Sequence, residues 1–242
     1  MKKQILFLAF SLCVGTIFAQ DATNAKKEGD DALKAKNYTV AFAKYDQFLT
    51  ATKNQDSVTV YNCGLCALNI KNYASAAKYF DVSIKNNYQL PMSYAGKAQS
   101  LKNLGKNAEM LATIQEGLKA VPGDNNLEKL YAVYYLKEGQ KFQKANNLSK
   151  AEESYKNILA ISDKKLKTDA LYSLGVMMFN NGAVVLQKAT PLATTDKAQY
   201  DKQKAVASED FKKASDYLEQ ALAISPEREA AKKMLDQVKA AM

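Results

Sequence analysis

Two cysteines separated by two residues are the part of this sequence whose types and spacing most directly suggest chemistry. Residues 61–67 read YNCGLCA, so Cys63 and Cys66 have the C-x-x-C spacing of thiol–disulfide catalysts. In such catalysts a thiolate attacks a disulfide, and a helix N-terminus or a nearby cation lowers the pKa of the attacking thiol. A periplasmic thiol–disulfide oxidoreductase that uses Cys63 and Cys66 is therefore one function to consider.

The composition argues against most other kinds of active site. The chain contains no histidine, so Ser–His and Cys–His nucleophile pairs and the commonest ligand of transition metals are missing. Acidic pairs such as Asp30–Asp31 and Glu152–Glu153 are adjacent in helical sequence, so their carboxylates point in different directions. The sequence predicts no catalytic, cofactor-binding or metal-binding residue, and it predicts a protein that is not an enzyme.

The charge of the chain does not indicate a nucleic-acid partner. The formal net charge is +9, but Arg228 is the one arginine and the lysines are interspersed with acidic residues. Proteins that read nucleic acids rely on arginine side chains for phosphates and guanine edges. Dispersed lysines are typical of solvated helix surfaces, so we expect no nucleic-acid partner.

The first nineteen residues predict export. Two lysines precede an apolar run from Ile5 to Phe18, and the small residue Ala19 offers a cleavage point. This is the layout of a secretory signal peptide. Cys13 follows a large residue and not the small residue that lipid attachment needs. We therefore predict a signal peptide at residues 1–19 and a soluble protein, most simply in a Gram-negative periplasm, with no lipid anchor and no membrane-spanning segment after cleavage.

The remaining sequence repeats a helical pattern. Prolines and glycines are few, and apolar residues recur at spacings of three and four. A glycine is followed twelve positions later by an alanine, and four positions after that by an aromatic residue. The three clear copies are Gly29–Ala41–Tyr45, Gly64–Ala76–Phe80 and Gly139–Ala151–Tyr155. Two degenerate copies contain Ala98–Met110–Ile114 and Gly175–Ala214–Leu218.

These copies resemble the tetratricopeptide repeat, a helix–turn–helix unit of about 34 residues. They run roughly over residues 22–55, 57–90, 91–124, 132–165 and 168–226. The resemblance implies an all-α fold, a right-handed superhelical solenoid in which each helix pair covers the apolar face of its neighbour. The predicted solenoid domain is 20–242.

The last copy departs from the pattern. The spacing of the other copies would place its second small residue near position 187, but the best match is Ala214, much later in the chain. The insert, at about 184–210, has a helix-breaking centre and helical flanks, which predicts an elongated helical hairpin with its tip near Pro191. Asn180–Asn181 is predicted to lie in a turn. Residues 227–242 are predicted to form a capping helix over the open end.

The resemblance also implies a function, because this family usually binds peptides or helices on a concave groove lined by the first helix of each repeat. Carried over residue by residue, the predicted partner-binding groove consists of Lys26, Tyr61, Asn62, Leu65, Gln99, Leu136, Tyr172, Val176 and Phe179. Some members hold a terminal carboxylate in a lysine–asparagine clamp, but Asp30, Met92 and Gly96 replace three clamp residues here. We therefore predict a scaffold for another envelope or outer-membrane protein, with the hairpin as a second candidate surface.

The repeat register bears on the two cysteines as well. Cys63 and Gly64 fill the apolar–glycine pair of a first helix, and Ser57 is the predicted N-cap of that helix. Cys63 would then lie more than one turn from the N-terminus, where the helix dipole no longer lowers its pKa. The register favours buried packing residues, and the oxidoreductase remains the alternative to the scaffold.

Overall fold

The structure is a computed structural model that describes residues 20–242. The predicted signal peptide lies outside the described residues. Within them the chain forms helices joined by short connections, with no strand. The helices are α1 (residues 20–34), α2 (Tyr38–Ala51), α3 (Ser57–Asn69), α4 (Tyr73–Lys85), α5 (Leu90–Asn103), α6 (Asn107–Ala120), α7 (Asn125–Lys144), α8 (Leu148–Asn157), a 3-10 turn (Ile158–Ala160), α9 (Lys164–Ala189), α10 (Leu192–Thr195), α11 (Lys197–Ile224) and α12 (Glu229–Ala241). The predicted all-α helix–turn–helix fold is confirmed.

The chain divides into two compact units. Unit 1 ends at Leu127 and contains α1 to α6, and unit 2 covers Glu128–Met242. In unit 1 each helix from α2 to α5 packs against the next helix in the sequence. In unit 2, α9 packs along α11, and α12 packs against both of them. Each unit is therefore a stack of helices with its own buried core.

Large side chains lie directly on glycines where the helices of unit 1 meet. The ring of Phe80, on α4, covers Gly64 of α3 and also Gly96 of α5. A Cβ atom at these glycines would lie 3.2 Å and 2.5 Å from the ring. The same arrangement joins Gly29 to Tyr45 in unit 1. The spacing found in the sequence therefore corresponds to a contact line, here called the seam, between the two helices of a hairpin.

The turns inside three hairpins share one design. The first helix ends at a residue with left-handed backbone geometry, and an asparagine follows that caps the second helix. At Lys71, φ is 61°, and the side-chain oxygen of Asn72 accepts a hydrogen bond from the backbone N–H of Ser75 at 3.2 Å. Lys36–Asn37 and Asn146–Asn147 repeat this pair. Each capping asparagine satisfies one of the free N–H groups at the helix start.

The elongated hairpin is confirmed in unit 2. Helix α9 has 26 residues and α11 has 28, and the short α10 forms the tip between them. The predicted turn at Asn180–Asn181 is wrong, since both residues lie inside α9. The side-chain amide of Asn181 instead donates a hydrogen bond to Oδ2 of Asp210 at 2.7 Å. Helix α12 packs on α11, where the capping helix is predicted.

The seam of this hairpin contains two glycine contacts. Leu218 lies over Gly175, where a Cβ atom would be 2.6 Å from the leucine side chain. One heptad further toward the tip, Phe211 lies over Gly182, where the corresponding distance is 2.8 Å. Positions one heptad apart lie on nearly the same face of a helix. The second contact therefore continues the first along the hairpin.

Candidate functional site

The two cysteines that could do redox chemistry are completely buried. Cys63 and Cys66 are free thiols inside α3 and pack in the core of unit 1. Burial raises the pKa of Cys66 to about 11. Burial, followed by the nearby carboxylate of Asp46, raises the pKa of Cys63 well above its usual value. A catalytic thiol needs the opposite shift and access to its substrate, so this geometry does not support the oxidoreductase alternative.

The start of α3 also differs from the prediction. Asp56, and not Ser57, is the N-cap, and its side chain accepts a hydrogen bond from the backbone N–H of Thr59 at 3.0 Å. Cys63 therefore lies nearly two turns beyond the cap. The helix dipole acts mainly within the first turn, so it gives no stabilisation to a thiolate at Cys63.

A metal-ligand cluster and a membrane-spanning helix are not found in residues 20–242. Within this range no group of three or more cysteine or acidic side chains is placed to hold a metal ion. Of the helices in the same range, none combines the length and the apolar character needed to cross a bilayer. The acidic residue Glu152 already has partners, since it pairs with Lys156 at 2.6 Å and accepts a hydrogen bond from the Tyr217 hydroxyl at 2.8 Å.

The predicted groove residues of unit 1 lie on the first helices of three successive hairpins, and all of them are half-buried. They are Lys26 on α1, Tyr61, Asn62 and Leu65 on α3, and Gln99 on α5. Helices α3 and α5 pack against each other. Lys26 forms an ion pair with Asp56 at the start of α3, which links α1 to the same set. The fold therefore places these residues on neighbouring helices of one unit.

Lys26 is not a free cation for a ligand. Burial raises the pKa of its partner Asp56, but hydrogen bonds from Lys26 and from the N–H of Thr59 outweigh this and hold that pKa below its usual value. The ammonium also lies 5.6 Å from the centre of the Phe48 ring. Because its charge is already matched by Asp56, Lys26 contributes to the helix arrangement more than to a carboxylate clamp.

Tyr61 contacts two other aromatic rings. Its ring meets Phe80 and Tyr88 edge to face, with centroid distances of 6.0 Å and 5.9 Å. Leu65 packs on the same buried cluster as Phe80. Burial, followed by the neighbouring Tyr88, raises the pKa of Tyr61, so its hydroxyl stays protonated at neutral pH. The two anchors therefore have fixed positions before any partner binds.

The structure adds two residues that were not predicted for this surface. Val58 is 49% exposed and Met92 is 48% exposed. Val58 precedes Tyr61 by three positions and Leu65 by seven, which places all three on one face of α3. Met92 follows Val58 by one repeat period, so the two side chains occupy equivalent places at the starts of α3 and α5. We call Val58, Tyr61, Leu65, Tyr88 and Met92 the apolar surface of unit 1.

In unit 2 the predicted groove residues are more strongly engaged in packing. They are Leu136 on α7 and Tyr172, Val176 and Phe179 on α9, and all four are half-buried. Leu136, Tyr172 and Phe179 pack against the core of this unit. The guanidinium of Arg228 lies 4.8 Å from the centre of the Tyr172 ring and pairs with Asp169 at 2.6 Å. One face of Tyr172 is therefore covered by the segment that leads into α12.

A solved structure identifies the family of this fold. A tetratricopeptide repeat protein from Bacteroides fragilis NCTC 9343 is 57% identical, with an alignment that covers 91% of this chain and 99% of that protein and a TM-score of 0.87. The chain belongs to the tetratricopeptide repeat family. Proteins of this repeat are in general interaction modules that present extended binding surfaces on stacked helices.

Other solved structures are less similar. They include YrrB, described as having an unusual peptide-binding site, with 16% identity, coverage of 88% and 96% and a TM-score of 0.42. A putative protein-binding protein from Bacteroides ovatus ATCC 8483 has 13% identity, coverage of 91% and 97% and a TM-score of 0.37. At these TM-scores nothing is transferred from either protein. No protein-family model and no curated protein matches this chain.

Proposed function

We propose that this tetratricopeptide protein is a non-enzymatic scaffold of the bacterial cell envelope. In this proposal it binds a segment of another envelope protein on the apolar surface of unit 1. The observation that carries the proposal is the exposure of Val58 and Met92 at equivalent places of α3 and α5, together with the packing of the anchors Tyr61 and Leu65 on the cluster of Phe80. Aromatic and aliphatic anchors with fixed positions are typical of the residues that dominate binding energy at protein interfaces.

The chemistry of this surface favours an apolar partner segment. Lys26 already has a carboxylate partner in Asp56, and the residues that define the surface carry no charge at neutral pH. Binding would therefore come mainly from apolar burial, which depends weakly on salt. A partner that carries a tyrosine, leucine or phenylalanine flanked by small residues would fit such a surface better than an acidic tail would.

A photo-crosslinking residue at position 58 tests this surface directly. The protein is purified and mixed with envelope extract, and Val40 on α2, which is similarly exposed, provides the matched position for a control. We expect one protein to be crosslinked in stoichiometric amount from position 58 and not from position 40. Equal crosslinking from the two positions would contradict the proposed surface.

Charge substitutions then measure how much the surface contributes. Val58→Lys together with Met92→Lys should weaken capture of that partner at least about tenfold, because a lysine at the centre of an apolar contact must be desolvated. Val40→Lys together with Leu104→Lys changes two similarly exposed residues elsewhere in unit 1 and should leave capture unchanged. Deletion of residues 184–210 shows whether the hairpin also takes part.

The envelope location is part of the same proposal and depends on residues 1–19. Their sequence has the charged, apolar and small-residue regions of a signal peptide. Mass spectrometry of the protein isolated from its native cells should find a chain that begins near Gln20. A chain that retains Met1 in the cytoplasmic fraction would contradict the location and leave the binding surface to be judged by the crosslinking result.

A further inference from the structure

The outer half of the α9–α11 hairpin has an apolar face that the rest of unit 2 does not cover. Ala170, Met177 and Val184 follow one another at heptad intervals on α9, so they lie along nearly one line. Ala170 and Met177 are buried, whereas Val184 is 44% exposed. The covering of this line therefore ends between Met177 and Val184.

A hydrogen bond shows which side of α11 belongs to the same face. Asn181 on α9 donates to Asp210 on α11 at 2.7 Å. Val184 lies three positions after Asn181, and Val206 lies four positions before Asp210, so each valine shares a face with its polar neighbour. Val206 is 45% exposed. The two valines therefore lie on the same side of the hairpin as the Asn181–Asp210 bond, one turn nearer the tip.

The lengths of the helices explain why this surface is open. At a rise of about 1.5 Å per residue, α9 and α11 are each about 40 Å long. Helix α8 has 10 residues and α12 has 13, so these neighbours reach about 15 Å and about 20 Å. Each helix of the hairpin is therefore at least about twice as long as either of these two neighbours.

The charges of the outer hairpin are balanced. Residues 181–210 contain four lysines and four acidic residues and have no net charge, although the whole chain carries +9. These residues are Lys188, Lys197, Lys202, Lys204, Asp196, Asp201, Glu209 and Asp210. A surface with no net charge can meet its own copy without general repulsion.

The positions of the charges are also complementary under a two-fold rotation. Lys188 and Lys202 lie four positions from Val184 and Val206, about 6 Å toward the tip. Glu209 lies three positions from Val206, about 4.5 Å toward the base. All three charged side chains are exposed, and none forms an ion pair within residues 20–242. A two-fold axis that crosses the hairpin at the valines brings α11 onto the α11 of the other copy, so it would place Lys202 of one hairpin opposite Glu209 of the other.

We propose that this face pairs with the same face of a second copy of the chain. The two hairpins run antiparallel and form a four-helix contact with Val184 and Val206 at its centre. Such a contact is isologous, because each copy supplies both halves of every pair. The Asn181–Asp210 bond marks the base of the contact in each copy, where a polar pair favours one register over its neighbours. The inference concerns unit 2 and does not depend on the function proposed for unit 1.

Sedimentation of the purified protein over a wide range of concentrations tests the proposal. We expect a monomer–dimer equilibrium. Val184→Lys together with Val206→Lys should raise the dimer dissociation constant at least about tenfold, because two lysines would enter an apolar centre. The control pair Val40→Lys and Leu104→Lys should leave it unchanged, and circular dichroism checks that both variants are folded.

A charge exchange tests the two-fold geometry itself. Lys202→Glu should weaken the dimer, and Lys202→Glu together with Glu209→Lys should restore it, since each exchanged charge then meets its opposite in the other copy. A wild-type protein that stays monomeric throughout overturns the proposal, as does a dimer that the valine variants leave intact. The proposal is also overturned if the protein is a monomer that captures a different protein from envelope extract and the Val184→Lys and Val206→Lys variant no longer captures it. The face would then bind that protein and not a second copy of the chain.

Discussion

The α3–α4 hairpin and the α9–α11 hairpin are built on the same contact and differ in how often they use it. Helices α3 and α4 have 13 residues each, and Phe80 over Gly64 is their glycine contact. Helices α9 and α11 have 26 and 28 residues, with glycine contacts at Gly175 and Gly182. The long hairpin therefore gains its length by repeating the seam one heptad further out.

The two hairpins differ in what supports that contact. Phe80 also packs on Gly96 of the following hairpin, so the short hairpin depends on its neighbour. Gly182 is approached by the ring of Phe211 and by the backbone oxygen of Ala207, and all three residues lie within the long hairpin. The short hairpins are therefore stable as parts of a stack, whereas the outer long hairpin relies on its own seam.

Removing the aromatic side chain should give the largest effect. Phe80→Ala should lower the free energy of unfolding of unit 1 by about 4 kcal/mol, since it opens a cavity between three helices. Phe211→Ala should cost less, about 2 to 3 kcal/mol, because solvent and the ends of α9 and α11 can relax around it. Urea unfolding followed by circular dichroism gives both values, and hydrogen exchange locates the change. A larger loss of stability in Phe211→Ala than in Phe80→Ala would contradict this difference between the hairpins.

Loss of the Asn181–Asp210 hydrogen bond in the long hairpin should give the next largest decrease in stability. Asn181→Leu leaves the nearly buried Asp210 carboxylate without its amide donor, which should cost about 2 kcal/mol. Replacing both residues by leucine should recover most of this loss, because no polar group is then left unpaired. Urea unfolding of the single and double variants measures the coupling. If the Asn181→Leu variant has an unchanged free energy of unfolding, water replaces the amide at little cost.

Loss of a helix-capping side chain should also affect the two hairpins differently, with smaller changes in the free energy of unfolding. Asn72→Ala removes the hydrogen bond to the N–H of Ser75 and should cost about 1 kcal/mol. Asp196→Ala at the start of α11 removes a similar bond, to the N–H of Gln199 at 3.0 Å, but we expect local fraying of the tip and little change in global unfolding. Hydrogen exchange near residue 196 distinguishes fraying from a global loss. Lys106→Ala is the control, since the N-cap of α6 makes no side-chain capping bond.

The left-handed turn residues should give the smallest effect. Lys71→Gly places a glycine where φ is 61° and should stabilise unit 1 by about 0.5 kcal/mol, because a side chain is strained in that conformation. Gly105 occupies the equivalent turn of the next hairpin with φ of 73°, and Gly105→Ala should destabilise the unit by about 1 kcal/mol. Urea unfolding measures both. Shifts of the same sign would show that loop flexibility outweighs the backbone strain.

The repeat spacing predicted the fold because it records direct contacts. The interval between Gly64 and Phe80 is the same as in the other clear copies, because one helical segment and one short turn always separate the two residues. The same reasoning identified the long hairpin from the position of Ala214. It failed at Asn180–Asn181, where the turn preference of asparagine is weaker than the packing of Phe211 on the neighbouring Gly182.

The candidate surface could be predicted only in part. Tyr61 and Leu65 follow from the repeat register, and the spacing of exactly one repeat between Val58 and Met92 is a signal that could have added these two. The covering of Tyr172 could not be predicted, because Arg228 lies far away in the sequence and the chain returns to the ring only through the path of α11. Exposure depends on such distant segments, and a local pattern does not contain them.

The burial of Cys63 and Cys66 gives unit 1 a built-in reporter of its own opening. In the mature chain predicted here these are the two cysteines, and unit 2 has none. A thiol reagent can reach them only after α3 separates from its neighbours, so the labelling rate in the fast-closing regime is proportional to the population of the open state. The opening of unit 1 can therefore be followed by thiol labelling without any substitution, in the presence of a partner or of denaturant. Unit 2 is not labelled in the same experiment, because it has no cysteine.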